Sequence, residues 1–147
     1  MTTRKPAEFK DWPDDFQPAW EYKVVISDGG DGDNRYGMVD LGLLKYSFES
    51  FRLIAVDAPE VYSGPAMVRG WGKKTAAALA EICPPGTRVI AVTQKDKTSF
   101  DRFVAYLHLE NSLIVNDLIN AWMAEQEWHD DYRSYIDSGK DVSVLPQ

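Results

Sequence analysis

Between two groups of short apolar segments lies one stretch that reads plainly as a helix. Lys73 to Ile82 contains five consecutive alanines or leucines, and Pro84-Pro85-Gly86 stops it. Before it, Tyr22 to Ile26 reads as a strand entering the polar, glycine-rich turn Ser27 to Asn34. Met38 to Phe48 reads as a strand with a bend or bulge at Gly42. Phe51 to Val56 suits a buried strand that ends at Asp57-Ala58-Pro59-Glu60, because proline cannot continue the ladder. Ala66 to Gly72 is expected to be a loop. Beyond the helix, Arg88 to Thr93 and Phe103 to Leu109 are strands, the second alternating Phe103, Ala105, Leu107 and Leu109 against Val104, Tyr106 and His108. Asn116 is placed to cap a further helix whose apolar positions are Val115, Leu118, Ile119, Trp122 and Met123. Three strands, a helix, two strands and a helix is the layout of an OB-fold-like five-stranded barrel, mainly β with α. The competing reading is an ordinary α+β sheet.

Charge narrows the function classes. Sixteen Lys and Arg against 23 Asp and Glu give −7, which argues against a binder held to nucleic acid by global charge. The imbalance is uneven, because residues 69–110 carry seven basic groups against four acids. A local basic groove therefore stays open. One cysteine, Cys83, excludes an internal disulfide framework, and with only two histidines a structural zinc site is disfavoured. The start, Met1 to Lys10, has no hydrophobic stretch behind its charges, and no apolar run approaches the ~20 residues of a membrane span. A cytoplasmic chain with no membrane partner is expected.

Two acidic segments can carry chemistry. Asp28-Gly29-Gly30-Asp31-Gly32-Asp33-Asn34 sets three carboxylates among glycines and can offer oxygen ligands to calcium or magnesium, although it is not an EF-hand loop. Alone, it reads more simply as a polar hairpin turn. In the second, the proline after Val56 forces a sharp exit that throws Asp57 and Glu60 out at a strand end. Strand alternation puts Arg52 and Val56 on one face, with Asp57 on the other unless the strand end twists. Carboxylates so placed can bind a hard cation or hold a water, and an arginine nearby can fork onto a phosphate. A salt-bridged strand end explains the same residues without any function.

Taken together the segments are more specific. Asp31-Gly32-Asp33-Asn34, Val39-Asp40-Leu41-Gly42, Phe51-Arg52-Leu53, Val56-Asp57-Ala58-Pro59-Glu60 and Asp101-Arg102-Phe103-Val104-Ala105-Tyr106 resemble the staphylococcal nuclease (thermonuclease) family. The resemblance runs from about Trp20 to Trp128, some three-quarters of the chain. It implies a calcium-dependent phosphodiesterase, with magnesium or another hard divalent cation as a substitute, acting on DNA and/or RNA with little sequence preference. Carried over position by position, Asp33 and Asp57 match the metal-binding aspartates and Ala58 the backbone carbonyl offered to the metal. Glu60 matches the general base, and Arg52 and Arg102 match the phosphate-binding arginines. The chain departs from the family pattern at Phe100-Asp101, where Tyr-Gly is usual, and at Asn34, where threonine is usual.

The remaining residues have plainer readings. His108 is expected to be structural, His129 a surface group and Cys83 a small buried hydrophobe. Lys95 and Lys97 are weak candidates for nucleic-acid contact, with Lys73 and Lys74 less specific still. Tyr62 and Trp71 could stack bases or simply pack. Residues 1–19 read as an extended arm whose Phe9, Trp12, Phe16 and Trp20 pin it to the body, 20–130 as the barrel domain, and 131–147 as an acidic tail or short helix. A monomer is expected. Two rivals to the nuclease are a non-catalytic nucleic-acid-binding module on the same fold and an acidic protein that binds a basic partner.

Overall fold

The computed structural model describes residues 12, 13, 15, 16, 19–95 and 102–147, with the backbone alone at Lys95 and Arg102. Strands β1 (Glu21–Ser27), β2 (Asn34–Gly42), β3 (Lys45–Leu53), β4 (Arg88–Lys95) and β5 (Arg102–Leu109) close into a barrel in the order β1-β2-β3-β5-β4. All neighbours are antiparallel except β3 and β5, which run parallel with Ser50 opposite Arg102 and Arg52 opposite Val104. Helix α1 (Ala66–Ile82) is inserted between β3 and β4, and α2 (Val115–Ala124) and α3 (His129–Asp137) follow the barrel. The expected fold class is therefore observed.

Alternation explains the core. Val24, Ile26, Val39, Phe51, Leu53, Val89, Ala91, Ala105 and Leu107 point inward and are buried, as a closed sheet with period-two side chains requires. They form one cluster with Val68 and Leu79 of α1 and with Val115 and Ile119 of α2. Trp71 stacks on Trp128 with ring centroids 5.4 Å apart, so this tryptophan packs rather than offering a face to a base. Cys83 is buried as expected. Trp12 and Phe16 stack on each other and stay exposed, while Phe9 lies outside the described residues. No helix among the described residues is long and apolar enough to cross a membrane.

Three local expectations are corrected. Met38 to Phe48 is not one strand, because the chain reverses at Leu43-Leu44, both at positive φ (54° and 58°); the expected bulge at Gly42 is present, as a register shift between Asp40 and Gly42 just before that turn. The reversal is a two-residue turn that normally selects Asn-Gly, since bulky residues resist the left-handed region. Helix α1 starts seven residues early, at Ala66 rather than Lys73; Gly72 within it serves close packing rather than breaking the helix, and Gly70 is simply tolerated. Asn116 caps nothing. It is fully buried in the first turn of α2, where its amide donates to the carbonyls of Ile54 and Ala105 (both 2.9 Å) and its Oδ1 accepts from the amide of Leu107 (3.1 Å). That bond set ties the end of β3 to β5, beneath the residues considered next.

Candidate active site

Strand β3 ends at Leu53, and Ile54-Ala55 turn the chain, with Ala55 at φ 62°. Strand alternation therefore does not carry through to Asp57, which sits on an irregular exit with Ala58 and Pro59 buried beneath it and Glu60 exposed beyond. Two glycines let other elements close on this exit. A Cβ on Gly72 of α1 would stand 2.4 Å from the carbonyl oxygen of Glu60 and 2.6 Å from that of Pro59. Only glycine allows the helix to lie so close to the exit backbone. On the other side, a Cβ on Gly32 would fall 2.6 Å from Thr75 Cγ2 and 2.9 Å from the Ala58 Cβ, which brings the acidic turn between β1 and β2 down onto the same spot.

The turn is locked by its neighbours. The Asp33 carbonyl accepts from the Leu53 amide at 2.7 Å, and the Asp31 amide donates to Asn34 Oδ1 at 2.6 Å. Beneath it, Arg35 is 97 % buried, a guanidinium at an inward position of β2 with its charge among carbonyls: Nη1 donates to Gly29 (2.7 Å) and Nη2 to Cys83 (2.9 Å). It clamps the turn to the C-terminal end of α1. The Cys83 thiol beside it is raised by burial, with Arg35 opposing.

The electrostatics show which charges act on Asp33. Asp33 is pushed up to about 6, first by burial and then by the charges of Asp31, Glu60 and Asp57, while among the described residues Arg52 pulls it down. Four carboxylates and one arginine, drawn from the turn, from β3 and from its exit, thus share one patch. A group whose folded-state value exceeds its ordinary 3.8 favours folding most at low pH, so this contribution falls as pH rises from about 4 through 6. The metal-free protein should take up a proton near pH 6 at Asp33, and saturating calcium should move that uptake to lower pH. Carboxyl NMR shifts followed through a pH titration check both; an uptake that calcium leaves in place contradicts the assignment of Asp33 as a cation ligand.

From the far side, α3 reaches the same carboxylates. Tyr132 is buried and donates its hydroxyl to Asp57 Oδ1 at 3.1 Å, while Arg133 Nη1 lies 3.7 Å from Asp57 Oδ2. Burial and the charges of Asp57, Asp33 and Glu60 hold the Tyr132 phenol well above its ordinary range, so it stays a donor. A cavity of about 260 Å³ lined by Asp57, Asn120, His129, Tyr132 and Arg133 opens beside this contact. Sequence reasoning missed Tyr132, Arg133, Arg35 and Gly72 as site residues. The spacing of Tyr132, Tyr135 and Ile136 was the available signal for the first, since it marks a helix face packed on the body.

Arg52, Asp57 and Glu60 thus lie near enough to Asp33 for their charges to act on it, and Ala58 is buried in the segment between Asp57 and Glu60. Arg102 is placed by its backbone only, opposite Ser50 on the strand beside Arg52. Lys95 is likewise known only as backbone, and Lys97, Phe100 and Asp101 lie outside the described residues. Lys73 and Lys74 are exposed on α1, Tyr62 is exposed in the loop after Glu60, and His129 contacts Asp130 at the surface. Among the described residues, no three His, Cys, Asp or Glu side chains stand at metal-ligating spacing. The donor set still suits a hard cation: two carboxylates and a backbone carbonyl offer oxygen atoms, and among the described residues the cations beside these carboxylates are Arg52, which acts on Asp33, and Arg133, which lies near Asp57. A family profile described as staphylococcal nuclease homologue matches residues 50–141. No curated protein matches the sequence.

Proposed function

Because the chain belongs to the staphylococcal nuclease homologue family, we propose that it is a nuclease that hydrolyses phosphodiester bonds of DNA and/or RNA with little sequence preference. The observation that carries this reading is the convergence of half-buried Asp33 and Arg52 with exposed Asp57 and Glu60, whose charges all bear on Asp33. A surface built only to hold polyanionic nucleic acid gains nothing from clustered carboxylates such as these three and neighbouring Asp31, which repel phosphate.

Each residue has a task in that chemistry. Glu60, exposed and held by the close packing of α1 under its backbone, orients a water and takes its proton. Arg52 donates paired hydrogen bonds to the phosphoryl oxygens as they gather charge, and Arg102, on the next strand, is the second donor. Asp33, Asp57 and the Ala58 carbonyl would hold a calcium ion, or magnesium in its place. When bound, such an ion neutralises and polarises the phosphoryl group. Tyr132 and Arg133 fix the rotamer of Asp57 from behind.

Digestion of plasmid DNA and of RNA with calcium, magnesium or excess chelator tests the reading. Cleavage with calcium and none with chelator is expected; full activity in chelator removes the cation from the account. The positioning role of Tyr132 is separable. In Tyr132→Phe the calcium concentration for half-maximal cleavage should rise about 10-fold, in the range of outer-sphere partners, while the circular dichroism spectrum and nucleic-acid affinity stay as in wild type. An unchanged calcium dependence would remove Tyr132 from the site.

The second reading is a non-catalytic nucleic-acid-binding module. The lack of a three-ligand metal cluster among the described residues favours it. It predicts tight binding of an oligonucleotide that is recovered intact in calcium.

A further inference from the structure

The hairpin of β2 and β3 projects past the rest of the barrel. Beyond Val39, β2 pairs only with β3, and β3 meets β5 only from Ser50 onward. At its tip, Leu43 and Leu44 are both 91 % exposed and both hold the left-handed backbone that leucine resists. The barrel itself gains nothing from either side chain. Below the tip, Val25, Met38 and Phe48 form one row across three strands, because Val25 pairs with Met38 and Met38 with Phe48. Each is about half exposed, and Tyr46 beside them is 63 % exposed. These six side chains present on the order of 700–800 Å², beyond the ~300–600 Å² of the largest patch on a typical monomer.

We propose that this face is the interface of a two-fold dimer of the chain. The exposed area matches the ~800 Å² per partner of a stable interface. The face also carries both halves of a self-complementary contact. Val25 and Met38 of the row, with Tyr46, form one wall of a groove of about 630 Å³ also lined by Ile90 and His108, open to receive a leucine tip. A two-fold axis lets each copy insert its Leu43-Leu44 tip while receiving the other's. Charge permits it. The chain carries −7, yet the groove is lined by Lys23 and Arg88 against Asp40 and Glu110, so two copies meet here without net repulsion. The same balance disfavours nucleic acid, which requires a run of uncompensated cations. Such a dimer departs from the monomer expected from the sequence, and the experiment below decides between them. It is independent of the nuclease reading, since Arg52 lies four residues from Phe48 along β3, about 13 Å away.

Sedimentation equilibrium over a concentration series tests the proposal. The wild-type chain should reach twice 16.6 kDa. Leu43→Asn with Leu44→Gly should remain at the monomer mass while unfolding no earlier than wild type, because Asn-Gly is the unstrained pair for this turn. Met38→Lys, at an exposed strand position, should weaken association independently. Three results overturn the proposal: a wild type monomeric throughout, a dimer that survives the turn variant, or a monomer whose β1–β3 outer face is protected from hydrogen exchange by a single-stranded oligonucleotide.

Discussion

Replacing Glu60 with glutamine should lower turnover by about 10²–10⁴ while nucleic-acid affinity stays nearly unchanged. The amide keeps the shape and polarity of the carboxyl but cannot accept the water's proton. It also removes one negative charge beside Asp33, so the Asp33 carboxyl, raised in part by Glu60, should titrate lower in the variant. That second readout separates a missing base from a collapsed site. Turnover equal to wild type would remove Glu60 from the proton transfer.

The next largest effect is expected from a residue with no chemistry of its own. Gly72→Ala introduces a methyl group that meets the carbonyl oxygens of Glu60 and Pro59 at 2.4 and 2.6 Å. Both obstacles are backbone, so helix and exit loop must move apart. Overpacking of this kind costs about 1–3 kcal/mol of stability. The displacement falls on Glu60 itself, and a shift near 1 Å at a reacting group costs about 10²-fold in rate. Gly70→Ala is the control. A Cβ there meets nothing within 4 Å, so that variant should keep its activity and gain about 0.5–1 kcal/mol from the better helix former. Thermal unfolding and single-turnover cleavage of both variants check the pair; a fully active Gly72→Ala would mean the exit loop tolerates movement.

Gly72 also shows what the sequence could not convey. In one dimension a glycine here reads as a poor helix former, and Ala66 to Gly72 was expected to be a loop. In three dimensions it is the point at which α1 touches the exit. The strand order and barrel were legible because they rest on local periodicity and on proline and glycine punctuation, which act over a few residues. The hairpin reversal was not, because Leu43-Leu44 carries none of the turn chemistry its backbone demands. Asp33, Arg52, Asp57 and Glu60 were legible because they fall in short contiguous segments whose spacing survives folding. Arg35, Asn116 and Tyr132 act across 48, 62 and 75 residues of chain, on backbone carbonyls or on one carboxylate, and no spacing rule reaches that far.

Asp33 gives the physical reason to expect that the site takes a cation. An acid held near 6 by burial and by three like charges is costly to keep ionised at neutral pH, and a cation offsets that cost. A labelled single-stranded oligonucleotide, mixed with excess protein in calcium, tests the nuclease reading most directly when bound and cleaved fractions are measured in the same samples. The account predicts cleavage in wild type, with binding but little cleavage in Glu60→Gln. Oligonucleotide bound by wild type and recovered uncut in calcium would contradict it, and would make this barrel a nucleic-acid-binding module.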